Sequence, residues 1–190
     1  GLDGQFTALV NASTPVLGTL VPMRGRTAVR IRSDDAGRTL RASGIFRNAA
    51  DGALDLTLLP AETPGTFDGQ LVVTDTRMRN TPTLAALLDA ISIVGIIDQL
   101  QGPGIAFSEV EAHFRLTPRQ VILTRSSAVG PSMGISMDGY FDLATGRLDM
   151  QGVLSPIYML NVVGAVLTRK GEGLFGVNFR LRGTGEAPQV

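Results

Sequence analysis

Strict two-residue alternation dominates the half of this chain from Ile105 to Gly183. Val110, Ala112, Phe114 and Leu116 alternate with Glu111, His113 and Arg115. Met133, Ile135, Met137, Gly139, Phe141 and Leu143 keep the same period, as do Leu148, Met150, Gly152 and Leu154. Phe175, Val177, Phe179 and Leu181 repeat it against Asn178, Arg180 and Arg182. Successive side chains of a β-strand point to opposite faces, so this period predicts pleated strands with one apolar and one polar face. Turn signals separate them at Thr117-Pro118, Gly130-Pro131, Ala144-Thr145-Gly146 and Gly171-Glu172-Gly173. Short strands without helical patterns between most of them predict an antiparallel meander rather than parallel βαβ units. The apolar stretch 157–167 interrupts it, as a short helix or as a loop covering a sheet end.

Upstream, strands are predicted over Gln5–Asn11, Thr27–Arg32, Ala53–Leu59 and Phe67–Arg77, with an irregular segment around Pro15, Gly18 and Pro22. Ser33, Asp34 and Asp35 are placed to cap a short helix running to about Ser43, because their side-chain oxygens accept bonds from orphan N–H groups. The period then changes. Thr81-Pro82 opens a helix predicted to run to about Leu100 and to stop at Gly102-Pro103-Gly104. That helix is apolar almost all round, so it must be covered on most sides. Asp89, Asp98 and Gly95 argue against a membrane span, which needs about 20 apolar residues with few charges.

Composition narrows the function. The 17 basic and 17 acidic residues cancel, which removes any general drive toward nucleic acid or an anionic surface. With no cysteine, disulfides, thiolate metal sites and a cysteine nucleophile are excluded. His113 is the one histidine, so no histidine-pair metal site forms within one chain. It is expected on the polar face. The text GISMDG at 134–139 departs from a nucleophile elbow, because Asp138 stands where glycine is needed. Gly102–Gly104 lacks the lysine of a P-loop and reads as a turn. Asp34-Asp35 could bind a cation, but helix capping explains the pair more simply. The expectation is a protein that is not an enzyme and carries no cofactor and no metal. The chain opens at Gly1 without a basic and apolar leader pattern. It is therefore expected to be an excised or mature piece with its localisation signals elsewhere.

An ordered series of motifs resembles the C-terminal region of AsmA-like bacterial envelope proteins, most closely the YhdP-type branch related to TamB. The series runs SDDAGRTLRASGIF (33–46), GALDLTL (52–58) and FDGQLVVTDTRMRNTPTLAALLDAISIVGIIDQLQG (67–102). It continues with GIAFSEVEAHFRL (104–116), AVGPSMGISMDGYFDLATGRLDMQGVLSP (128–156), YMLN (158–161), GEGLFGVNFRLRG (171–183) and Pro188. It covers nearly everything from Thr27 onward. The resemblance implies a long curled sheet with an apolar groove, held to the inner membrane by an N-terminal helix and crossing the periplasm of Gram-negative bacteria. It implies passage of phospholipid between inner and outer membranes, without catalysis. This chain would then be a periplasmic piece from near the outer membrane. Its implied partners are phospholipid, the inner-membrane anchor of the full-length protein and an outer-membrane or periplasmic protein. Relatives carry a longer apolar insert after the LN pair, whereas only Val162–Lys170 separates Asn161 from Gly171 here. Either the insert is short or residues have been lost.

The expected architecture is mainly β: a curved antiparallel sheet forming one 1–190 domain. Strands lie over 27–80, a helix over 81–103 and the meander over 104–190. With the resemblance, the apolar face is expected to shield acyl chains. The lining residues would be Val110, Phe114, Met133, Ile135, Met137, Phe141, Leu148, Met150, Phe175, Val177 and Phe179. Flexible thioethers suit variable ligands, though they also fill ordinary cores. Leu84, Leu87, Leu88, Ile91, Val94 and Ile97 on the helix would act as its plug or gate. The alternation is equally compatible with a closed core under a docking module for an envelope partner.

Overall fold

The computed structural model describes residues 1–42, 44, 46–90, 98, 100–156, 176–185 and 187–190. Among the described residues, twelve strands and two helices follow the order β1 (Gly4–Val10), β2 (Thr14–Met23), β3 (Arg26–Ser33), α1 (Ala36–Ala42), β4 (Ala49–Ala50), β5 (Ala53–Pro60) and β6 (Phe67–Met78). Then come α2 (Pro82–Ala90), β7 (Ile105–Leu116), β8 (Gln120–Val129), β9 (Met133–Asp142), β10 (Arg147–Pro156), β11 (Val177–Thr184) and β12 (Pro188–Gln189). All strands belong to one open antiparallel sheet of order β1-β2-β3-β5-β6-β7-β8-β9-β10-β11-β12, with β4 paired beside β6. The chain is a meander, as the turn-separated alternation predicts.

The segment around Pro15 and Pro22, expected to be irregular, is strand β2. Proline removes a ladder donor, so it is tolerated where one neighbour is missing. Pro15 pairs with Leu9 on β1 before β3 joins at Leu17, and Pro22 pairs with Thr27 after β1 has ended at Leu20.

The cap on α1 is as expected in kind. The Asp35 carboxylate accepts the Arg38 amide at 2.9 Å, which satisfies one orphan donor of the first turn. For α2, Pro82 opens the helix and the Ala85 amide bonds the Thr81 carbonyl at 2.9 Å. The Thr81 hydroxyl, however, donates back to the Arg79 carbonyl. The helix is described over Pro82–Ala90, with residues 98, 100 and 101 helical again, so one long apolar helix over 82–100 is not supported. Residues 91–97, including Ile91, Val94 and Ile97, lie outside the described residues, and so do 157–175 with Phe175. Among the described residues no helix is long and apolar enough to cross a membrane.

Two irregularities re-aim the alternation. Asp75 takes a left-handed φ of 55°, and no ladder pair forms at its position between Thr74–Glu109 and Thr76–Phe107. Beyond this kink Ile105 and Phe107 join the core, whereas before it Val110, Ala112 and Phe114 face the same way. On β8 a bulge between Leu123 and Ser126 does the same, so Val121, Leu123, Ser126 and Ala128 share one face.

Candidate functional site

The register turns the alternation into continuous cross-strand rows. One row runs Phe6, Gly18, Ile31, Leu56, Leu71, Ala112, Ser126, Met137, Gly152, Phe179 across ten strands. The next runs Leu20, Val29, Leu58, Gly69, Phe114, Leu123, Gly139, Met150, Leu181. A third joins Leu54, Val73, Val110, Ala128, Ile135, Leu154 and Val177. None of these positions carries a charge. At ~4.8 Å per strand, the face extends roughly 40 Å along the sheet.

Three phenylalanines lie flat on this face, each across a glycine of the adjacent strand. A Cβ on Gly18 would sit 2.0 Å from Phe6 Cζ, one on Gly69 would sit 2.3 Å from Phe114 Cζ, and one on Gly152 would sit 2.8 Å from Phe179 Cζ. The rings therefore fill the space that the glycines leave and keep the surface smooth.

The opposite face is a polar ladder. Arg30 Nε bonds Asp55 at 2.9 Å, and Arg115 Nε bonds Asp68 at 2.9 Å. Asp149 accepts from Arg180 at 3.1 Å and from Arg182 at 3.2 Å, and Gln151 donates to Asp138 at 3.1 Å. His113 Nε2 lies 3.0 Å from Glu111 and 3.1 Å from Arg125 Nη2, on the polar face as expected. The hydrogen bond and charge of Arg30 hold the Asp55 carboxyl below its ordinary range, against the opposing effect of partial burial. Glu111 is lowered mainly by its bond to His113, and Asp149 mainly by its bond to Arg180.

The described helices cover one part of the apolar face and leave another without a helix over it. Leu84, Leu87 and Leu88 of α2 form one buried cluster with Leu100, Ile105, Phe107, Met133, Ile135, Leu154, Phe179 and Leu181. Met133, Ile135 and Phe179, expected to line an open surface, thus sit in closed core at 0%, 6% and 7% exposure. Val110, Met137, Leu148 and Met150 are half-buried around its margin. Phe114 and Phe141 are half-buried outside it, and Val177 is exposed beside the undescribed segment. Under α1 a second, smaller cluster holds Ala36, Leu54 and Val73, flanked by Ile31, Leu40, Leu56 and Leu71.

Among the described residues, the part that no helix covers lies over β2 to β8. Leu20, Val29, Leu58 and Leu123 are half-buried there and touch neither helix-centred cluster. A cavity of about 380 Å³ opens at its far strand ends, bordered by Thr27, Pro60, Phe67 and Arg26. These N-terminal positions belong to the same apolar face and were not among the expected residues, although 27–32 and GALDLTL carry the same alternation. Among the described residues no group of His, Asp or Glu is arranged to hold a metal ion. Asp35, of the paired carboxylates, is engaged by Arg38. Comparison of the chain with family models, with curated proteins and with solved structures finds no match.

Proposed function

We propose that this protein shields phospholipid acyl chains along its apolar face, as a periplasmic segment of a bridge between the inner and outer membranes. The observation that carries the reading is the unbroken, charge-free face spanning ten strands. The described helices share buried clusters with Ile135, Leu154, Phe179 and Leu181 and with Leu54 and Val73, while Leu20, Val29, Leu58 and Leu123 are half-buried outside those clusters. In this reading the sheet curls about that face into a groove, headgroups stay in water, and α2 plugs one end. Apolar burial is non-directional and contributes about 0.8 kcal/mol per methylene, so a tail needs no specific polar contact to be held or to slide. The resemblance to AsmA-like proteins supplies the cellular setting. Lipid extraction and native mass spectrometry test the reading. Co-purified phospholipid that is lost in Phe114→Asp supports it, and lipid-free protein that takes up no fluorescent phospholipid refutes it.

A second reading, docking on an envelope protein, is favoured by a different surface. Leu9 on β1, Leu17 and Val21 on β2, and Leu59 on β5 are 61%, 52%, 51% and 40% exposed on the otherwise polar face. Leu17→Lys with Val21→Lys would abolish such docking and leave acyl binding intact.

A further inference from the structure

The apolar face continues without a break beneath α2. Met137, Met150 and Leu148 connect the uncovered stretch at Phe114 and Leu123 to Met133, Ile135 and Phe179 under the helix. Among the described residues, the leucine side chains of α2 share one buried cluster with those three. Leu87 and Leu88 are 2% and 0% exposed, so the apolar face of α2 is held by what it packs against. Its base is anchored on the β4 side, where Asn48 Nδ2 donates to the Asn80 carbonyl at 2.7 Å and the Asn80 amide bonds Leu100 at 3.2 Å. Toward the C-terminal strands it is tied by apolar contact and by the Thr83 hydroxyl, which donates to the Gly185 carbonyl at 3.2 Å.

We propose that α2 is a displaceable cap: an acyl chain moving along the face replaces Leu84, Leu87 and Leu88 on Met133, Ile135 and Phe179. The proposal rests on the acyl-binding reading above and adds regulation to that site. Apolar contacts are exchangeable, because burial of methylenes on a surface is worth much the same whether a leucine or a lipid tail supplies them. The occupant is an acyl chain rather than a peptide because the covered and uncovered stretches are one charge-free surface. The two methionines at their junction can follow the shape of a mobile chain. The helix then reports occupancy: seated when the C-terminal stretch is empty, lifted when it is filled.

The absence of cysteine allows a direct test. Thr83→Cys with Gly185→Cys, joined by a short bifunctional thiol cross-linker, ties α2 down where the hydrogen bond now lies, and a Cβ at Gly185 has room, meeting nothing within 4 Å. Cross-linked and unlinked forms, matched by thermal melting, are exposed to phosphatidylethanolamine–phosphatidylglycerol vesicles that carry a photoreactive acyl chain. Labelled peptides are then mapped. The expected result is labelling of both the Ala53–Pro60 and Val177–Thr184 peptides in the unlinked protein. Cross-linking should remove label from Val177–Thr184 alone. Equal labelling of that peptide in both forms overturns the cap and leaves the acyl-binding reading standing. Loss from both peptides also overturns it, because the uncovered stretch does not require the helix to move. No labelling of wild-type protein refutes the acyl-binding reading itself.

Discussion

Phe114 lies across Gly69, its register partner on the adjacent strand, so closely that a Cβ at Gly69 would stand 2.3 Å from the ring. The glycine is thus a seat for the aromatic ring, and together they form one apolar unit at the centre of the sheet. Gly69→Val should displace the ring and destabilise the protein by about 1–3 kcal/mol, the usual cost of overpacking. Adding Phe114→Ala should recover part of that loss. Urea denaturation of the two single variants and the double variant measures the coupling.

The two parts of the apolar face should respond differently to a carboxylate. Ile135→Asp buries an unpaired charge beneath α2, a cost of several kcal/mol, and should leave the protein unfolded. Phe114→Asp, on the half-buried stretch, should leave it folded and deprive it of lipid. Circular dichroism and lipid extraction, run on both variants, separate these outcomes.

Leu88 is wholly buried where α2 meets the sheet. Leu88→Ala should cost about 2–5 kcal/mol through lost burial and a residual cavity. On the outer margin of α1, Asp35→Ala should cost only about 1 kcal/mol, the usual value of an N-cap. Thermal melts of the two variants should rank them in that order.

Acid should weaken the polar face. Asp55 and Glu111 lie below their ordinary values of 3.8 and 4.5 in the folded protein. The unfolded chain therefore binds protons there more readily. Each carboxylate contributes stability above its unfolded pKa, and the contribution disappears as pH falls through the lower, folded value. Both groups are close to solvent, so the effect is small and screened by salt. Asp55→Asn should flatten the acid limb of a stability–pH curve, and added salt should do the same to the wild type.

Thr14 is 2% exposed and its hydroxyl has no hydrogen-bond partner among the described residues. Replacing it with the isosteric Thr14→Val removes a buried, unsatisfied polar atom and should be neutral or stabilising. A melting temperature clearly below that of the wild type would show that the hydroxyl is partnered in solution.

Alternation by itself determined that the chain forms an antiparallel meander with an apolar and a polar face, because a two-residue period has one geometric meaning in a pleated strand. It also located α1, through Asp35, and the start of α2 at Pro82. Tertiary structure decided the rest. The period alone could not show that β2 is a strand despite Pro15 and Pro22, since that depends on which neighbours are absent at its ends. Nor could it place Ile105 and Phe107 on the same side as Val110, because the kink at Asp75 lies on another strand. Above all, Ile135 and Leu58 read alike as alternating aliphatic residues. Among the described residues, one joins the buried cluster of Leu87 and Leu88 and the other does not, because covering a sheet face is a long-range packing event that local periodicity does not encode.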